Sequence, residues 1–329
     1  MPKLSWKIWL FIVLLGLLVI SIITYATRSI SSSTKSTGSQ NNLSVVLAPT
    51  VQWPEKIGDS LVWIDDLTIN RLSLTTPNAK TEIVVVLPSK PSDVIWSPTG
   101  SAALVKLGEE PPIWNFVPFP EGKNQPLNFA ISSPGWSNKG DRILYAFSGP
   151  DHISITTAQP DGTQWKTLFN TTDMLQQIWW PGDGAYAIGY DLASNPPQYV
   201  RIFVSSQKLE PITRTYITGA LLKASPDGLK ALLDTGDDTA PTISITSLVP
   251  GTVQPIGSGR VRLSSWENNQ SILSVSDDGK LVRTNTQTNK TESLGLLQDI
   301  KALIAVIQGS IIYTTTNNEL RSIPLDKVK

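Results

Sequence analysis

The chain has 329 residues, 27 basic and 27 acidic side chains, no cysteine and a single histidine. The missing cysteines exclude disulfides, thiolate metal sites, thiol nucleophiles and a lipidated N-terminal cysteine. The balanced charge leaves no basic excess for nucleic acid, and beyond residue 35 the balance turns to −4 (23 bases against 27 acids), because the first 35 residues hold four bases and no acid.

Residues 6–25 read WKIWLFIVLLGLLVISIITY, an apolar run interrupted only by Lys7. A helix of about 20 residues spans the hydrocarbon layer, and Trp6, Trp9 and Tyr25 stand at its ends, where amphipathic rings favour the interface. Lys3, Lys7 and the α-amino group stand at its start and Arg28 and Lys35 follow it, a modest bias; a lone first helix with nothing apolar after it favours the N-terminus in the cytoplasm and the rest of the chain outside. A cleaved signal peptide is the competing reading, but this run exceeds the usual apolar stretch of one. The expectation is an uncleaved anchor over 1–27 of a single-pass protein, and the lack of cysteine points to a bacterial cell membrane. Residues 28–42, RSISSSTKSTGSQNN, are polar and without periodicity, as in a flexible tether.

From residue 43 the chain consists of short β-like runs broken by Pro, Gly, Asn and Asp. One unit recurs: a short run, a tight polar turn, an apolar run, a loop, an alternating strand, a second turn and a last short strand. Anchors at Trp53, Trp96, Trp136, Trp180, Ala224, Trp266 and Ala305 step by 39 to 44 residues. Spacing near 40–45 with four strands per unit predicts a propeller of about seven blades over 43–329. The turns align as Trp53-Pro54-Glu55, Trp96-Ser97-Pro98-Thr99-Gly100, Trp136-Ser137-Asn138-Lys139-Gly140, Trp180-Pro181-Gly182-Asp183-Gly184 and Ala224-Ser225-Pro226-Asp227-Gly228. Pro presets φ for the first central position and Gly takes the positive φ that closes the turn. Runs such as Ala102-Ala103-Leu104-Val105 and Ile143-Leu144-Tyr145-Ala146-Phe147 are apolar on both sides and suit strands sandwiched between blades. Tryptophan recurring at one structural position argues for packing between blades rather than for a stacking platform.

The Trp-Ser-Pro-x-Gly turn, the apolar strand after it and a later turn such as Gln159-Pro160-Asp161-Gly162 resemble the WD40-like repeats of TolB-type propellers. The resemblance covers 43–329, and units six and seven, which lack the Ser-Pro, rest on spacing. It implies a propeller and a binding surface, not a reaction. The last unit shows three strands, near 300–306, 310–315 and 318–324, and needs a fourth. Leu43-Ser44-Val45-Val46-Leu47 is expected to supply it and close the ring. In the resembled family such a strand starts on the face bearing the a–b and c–d turns, so the b–c and d–a loops would point away from the membrane.

Those b–c loops carry Asp65, Asp66, Glu109, Glu110, Asp151, Asp191, Asp234, Asp237, Asp238, Asp277, Asp278 and Glu319, and no Lys or Arg. Asp suits tight turns; the functional reading is an acidic face for a basic partner or divalent cations. On the d–a loops Lys90, Arg214 and Arg260 offset Asp93, Asp173 and Asp299. Ser276-Asp277-Asp278-Gly279 lacks the alternate-residue ligand spacing of a calcium loop. His152 beside Asp151 is an ordinary surface histidine, and no nucleophile elbow, phosphate loop or His-based metal motif occurs. No cofactor is implied. The expected function is therefore non-enzymatic: a membrane-tethered propeller that docks an unidentified, basic protein at the cell envelope. The alternative is a metal-assisted propeller hydrolase or lactonase with carboxylates converging on the channel mouth. A ligand sensor signalling through the helix has almost no cytoplasmic segment to work with.

Overall fold

The computed structural model describes residues 44–76, 79–120, 122–180, 185–214, 222–234, 243–247, 254–255 and 261–328. Contacts divide the chain into Met1–Asn42 and Leu43–Lys329; the anchor and tether expected over 1–42 lie outside the described residues. Among the described residues no helix is long and apolar enough to cross a membrane.

Seven four-stranded antiparallel sheets make an all-β, seven-bladed propeller. The first strand β1 (Val45–Ala48) belongs to the last blade. Blade 1 follows with β2 (Gln52–Ile57), β3 (Ser60–Asp65), β4 (Thr68–Ser73) and β5 (Glu82–Val86), and blade 2 with β6 (Asp93–Trp96), β7 (Ala102–Leu107), β8 (Ile113–Pro118) and β9 (Gln125–Pro126). Blade 3 has β10 (Gly135–Trp136), β11 (Ile143–Ser148), β12 (Ile153–Ala158) and β13 (Lys166–Thr171). Blade 4 has β14 (Leu175–Trp179), β15 (Tyr186–Asp191), β16 (Gln198–Phe203) and β17 (Lys208–Arg214). Blade 5 comprises β18 (Leu222–Ala224), β19 (Lys230–Asp234), β20 (Ile243–Ser247) and β21 (Gln254–Pro255). Blade 6 comprises β22 (Val261–Asn268), β23 (Ser271–Ser276), β24 (Lys280–Asn285) and β25 (Thr291–Leu296). Blade 7 is β26 (Ile300–Ile307), β27 (Ser310–Thr315), β28 (Leu320–Pro324) and then β1, with Val45 opposite Ser322 and Val46 opposite Arg321. The chain thus enters the ring beside the end of β28, on the face of the a–b and c–d turns.

Period-2 alternation builds the core. In the second strand of each blade, successive side chains point to opposite neighbours. Val62 and Ile64 of β3 pack with Ala103 and Val105 of β7, whereas Leu61 and Trp63 pack toward blade 7 with Ile312 and Leu320. Ala102 and Leu104 of β7 turn to blade 3, where they meet Ile143 and Tyr145; Leu144 and Ala146 turn onward to Ala187 of blade 4. One apolar run therefore serves two interfaces, which is why these strands are buried along their whole length.

The repeat-position tryptophans stitch blades together. Trp96 Nε1 donates to the Trp53 carbonyl at 2.8 Å, Trp136 Nε1 to the Ile95 carbonyl at 3.0 Å and Trp266 Nε1 to the Lys223 carbonyl at 2.9 Å. Trp96, Trp136, Trp180 and Trp266 are all buried, as packing pillars should be. The first unit differs from the expected alignment. Trp53-Pro54-Glu55 lies inside β2, and the turn is Gly58-Asp59. The cause is a bulge: Gln52 pairs with Ile64 but Glu55 with Val62, and Trp53 adopts φ 47°. One extra residue shifts side-chain parity along the strand.

Candidate functional site

The first strand of each blade has a partner on one side only, and first strands of neighbouring blades approach one another around the axis. Their free edges line the central channel. Bulges crowd this wall: β22 is irregular at Val261/Leu263 and Trp266/Asn268, β26 at Ile300/Ala302 and Leu303/Ala305. A bulge leaves backbone groups outside the ladder, and buried carbonyls of that kind need donors.

Lys223 of β18 supplies two. Its Nζ donates to the Ser264 carbonyl of blade 6 at 2.9 Å and to the Leu303 carbonyl of blade 7 at 2.8 Å. Ser265 Oγ donates to the Ile304 carbonyl at 3.3 Å. Across from them Glu55 of blade 1 opens into the channel. Its side chain keeps accessible surface there, yet protein surrounds it on every side, and this loss of bulk water pushes its carboxyl up to about 7 against the smaller pull of Lys223. Desolvation likewise pushes the Lys223 ammonium down to about 8, with Glu55 opposing. Lys223 thus ties blades 5, 6 and 7, and the charge of Glu55 in blade 1 acts on it. Gln52 Oε1 and Ser264 Oγ, in the first strands of blades 1 and 6, are buried without a hydrogen-bond partner among the described residues.

Sequence patterning missed this pair. Glu55 was assigned to the turn face, and the bulge at Trp53 instead turns it into the channel. Lys223 had a signal: it occupies the position before the anchor, where other units carry Ile95, Gly135 and Trp179. A lysine in an otherwise uncharged position of the repeat marks a place where the wall must serve a cation or be served by one.

The sequence-predicted acids are not equivalent. Asp66 is exposed at φ 52° in the turn after β3, with Asp65 half-buried before it. Glu109, Glu110 and Asp151 are exposed on their loops, and no ion pair forms to them or to Asp66 among the described residues. Asp191 is buried and organises its own loop, accepting from Ala193 N at 3.0 Å and from Ser194 Oγ, which in turn accepts from Gln198 Nε2 at 2.7 Å. Asp278 closes a turn by accepting from Ser276 Oγ, which holds its carboxyl below the usual range; Asp277 beside it is exposed. Glu319 is paired with Arg321 at 2.6 Å. Asp234 ends β19, and Asp237 and Asp238 lie outside the described residues, as does Arg260.

On the d–a loops burial raises the carboxyls of Asp93 and Asp173, the latter helped by the charge of Asp191. Among the described residues no three His, Asp or Glu side chains come together as a metal site would require. On the opposite face Glu267 is neutralised by Arg283 at 2.8 Å, and Arg283 also holds Glu292 at 2.9 Å.

No family model and no curated protein sequence matches the chain. Solved structures resemble it in fold. The tricorn protease superposes with a TM-score of 0.55 at 11% identity, over 89% of this chain and 35% of that one. TolB from Acinetobacter baumannii gives 0.48 at 16% identity, over 68% of this chain and 58% of that one. A putative TolB from Agrobacterium tumefaciens gives 0.49 at 18% identity, over 63% and 81%. This chain therefore spans about a third of the length of the tricorn protease and less than two thirds of that of the Acinetobacter TolB.

Proposed function

We propose that this chain is a membrane-anchored, extracytoplasmic propeller of a bacterial cell envelope that captures a basic protein partner on its b–c loop face without catalysing a reaction. Residues 6–25 hold it in the bilayer, residues 28–42 give it reach, and the ring presents loops to the partner. The carrying observation is that Asp66, Glu109, Glu110 and Asp151 stand exposed on consecutive blades with no cation against them. Carboxylates kept unpaired at loop tips add little to the fold but create a negative potential that speeds encounter with a basic surface. The propeller fold hosts many functions and supplies no reaction by itself.

The experiment is capture from native membranes by the full chain at low and high salt, comparing the native protein with D66N/E109Q/E110Q/D151N. Capture should weaken in the variant and in high salt, because the screening length falls from ~10 Å at 0.1 M to ~3 Å at 1 M. The control D59N/D326N, on the opposite face, should capture normally. Equal capture by all three proteins at low salt would reduce the acids to turn residues.

A further inference from the structure

The b–c loop face also carries two large apolar side chains in the open. Phe129 is 76% exposed and Met174 is 54% exposed. They sit on the d–a loops entering blades 3 and 4, and both loops are fixed. Ser148 N donates to the Ala130 carbonyl at 3.0 Å and Leu192 N to the Met174 carbonyl at 3.3 Å, so each loop lies along the end of its own blade's second strand. Ser133 Oγ donates to the Leu175 carbonyl at 2.9 Å, joining the two loops. Just below, Gly135 lies so close to β14 that a Cβ would fall 2.3 Å from the Ile178 carbonyl oxygen. Phe129 and Met174 therefore flank a tightly packed junction, held on backbone that cannot fold them away.

The loops around them, residues 127–134, 149–152, 172–175 and 191–198, hold exposed Asp151 and half-buried Asp173, with Asp191 buried beneath, and no Lys or Arg. Surfaces that bind proteins enrich aromatic residues and Met at the centre and keep charge at the rim. An aromatic and a flexible thioether beside the open carboxylate of Asp151 and the half-buried one of Asp173 match a segment that is both apolar and basic.

We infer that Phe129 and Met174 form the apolar centre of a docking surface for a protein segment presenting bulky aliphatic side chains beside Lys or Arg. This rests on the proposal that the b–c loop face is the capturing one. It narrows that face to the sector of blades 3 and 4. The apolar centre contributes affinity and the carboxylates contribute the choice of partner.

The chain has two methionines, Met1 and Met174, so ε-methyl-labelled protein in nanodiscs of neutral lipid reports on this surface through one resonance. The probe is a short peptide of alternating Lys and Leu, with Lys–Ser and Glu–Leu peptides of equal length beside it. The Lys–Leu peptide should shift the Met174 methyl signal and the other two should not. Phe129→Ser should weaken the Lys–Leu titration by about tenfold with an unchanged melting temperature, while Trp165→Ser, at a 68% exposed site on the opposite face, should leave it intact. A Glu–Leu or Lys–Ser peptide that shifts Met174 equally overturns the inference. So does a Met174 signal that moves on dilution without peptide, which would place a second copy of the chain on this surface. If Met174 stays silent while D66N/E109Q/E110Q/D151N still weakens peptide binding by fluorescence anisotropy, the sector is wrong and the acidic face stands. If neither responds, both readings fall.

Discussion

The ammonium of Lys223 in blade 5 lies 2.8 Å from the carbonyl oxygen of Leu303 in blade 7, so one side chain spans two blade boundaries. β26 is irregular on either side of Leu303, between Ile300 and Ala302 and between Leu303 and Ala305. Glu55 faces the same point from blade 1. Each charge is held at the expense of its hydration.

The first prediction concerns that pair. Glu55 has a folded-state value raised to about 7 from 4.5, so its contribution to stability is present at low pH and lost as pH rises from 4.5 to 7. Lys223 has a folded-state value lowered to about 8 from 10.5, so its contribution is regained as pH rises from 8 to 10.5. Between pH 7 and 8 both are charged and the cost is greatest. The variant E55Q, which keeps Lys223 on the Ser264 and Leu303 carbonyls, should therefore lose less stability than the native protein as pH rises from 4.5 to 7. Its advantage over the native protein should vanish toward pH 4.5, as followed by thermal melts from pH 4.5 to 8. The variant K223M, which leaves the Ser264 and Leu303 carbonyls without this donor, should melt below the native protein.

Indole hydrogen bonds between blades give a second test. Trp266→Phe removes the indole bond to the Lys223 carbonyl across the boundary of blades 5 and 6, which should cost about 0.5–1.5 kcal/mol in urea unfolding. Trp96→Phe should behave alike through the Trp53 carbonyl. Trp165→Phe, at an exposed turn, should change stability by less than about 0.5 kcal/mol.

Gly135 allows no side chain. A Cβ there would meet the Ile178 backbone carbon at 2.9 Å as well as its oxygen, so Gly135→Ala must push β10 from β14. We expect a loss above about 2 kcal/mol, read as a lowered urea midpoint. Gly58→Ala, where nothing lies within 4 Å of the added Cβ, carries only the cost of its φ of 54°.

Deleting residues 45–48 removes the outer strand of blade 7 and bares the edge of β28. Aggregation or a lowered melting temperature should follow. Deleting residues 30–40 should have neither effect, and identical behaviour of the two deletions would show that pairing of the chain ends does not hold the ring.

Membrane anchoring is tested on intact cells. The protein should stay in the pellet through salt and carbonate washes, and external protease should release the propeller by cutting within residues 28–42. Free protein with a new N-terminus near Thr27 would show that the apolar run is a signal peptide.

The repeat was legible in the sequence because its determinants are local. A turn needs Pro and Gly at set positions, as where Gly100, Gly140 and Gly228 take φ of 68° and close their turns onto Ser97, Ser137 and Ser225. A strand sandwiched between blades must be apolar on both sides, so spacing and composition alone yield seven four-stranded units. The acidic loops were legible as composition, but their roles were not. Asp191 and Glu319 are spent on Ser194 and Arg321, whereas Glu109 and Asp151 remain open to solvent, and only folded geometry separates these cases. The channel pair was decided entirely by tertiary structure. Glu55 and Lys223 are 168 residues apart in the chain, and a single extra residue at Trp53 decides which way the glutamate points. Parity along a strand is local, but a bulge that resets it is chosen by how neighbouring blades pack, and that energy is not written in any short stretch of sequence.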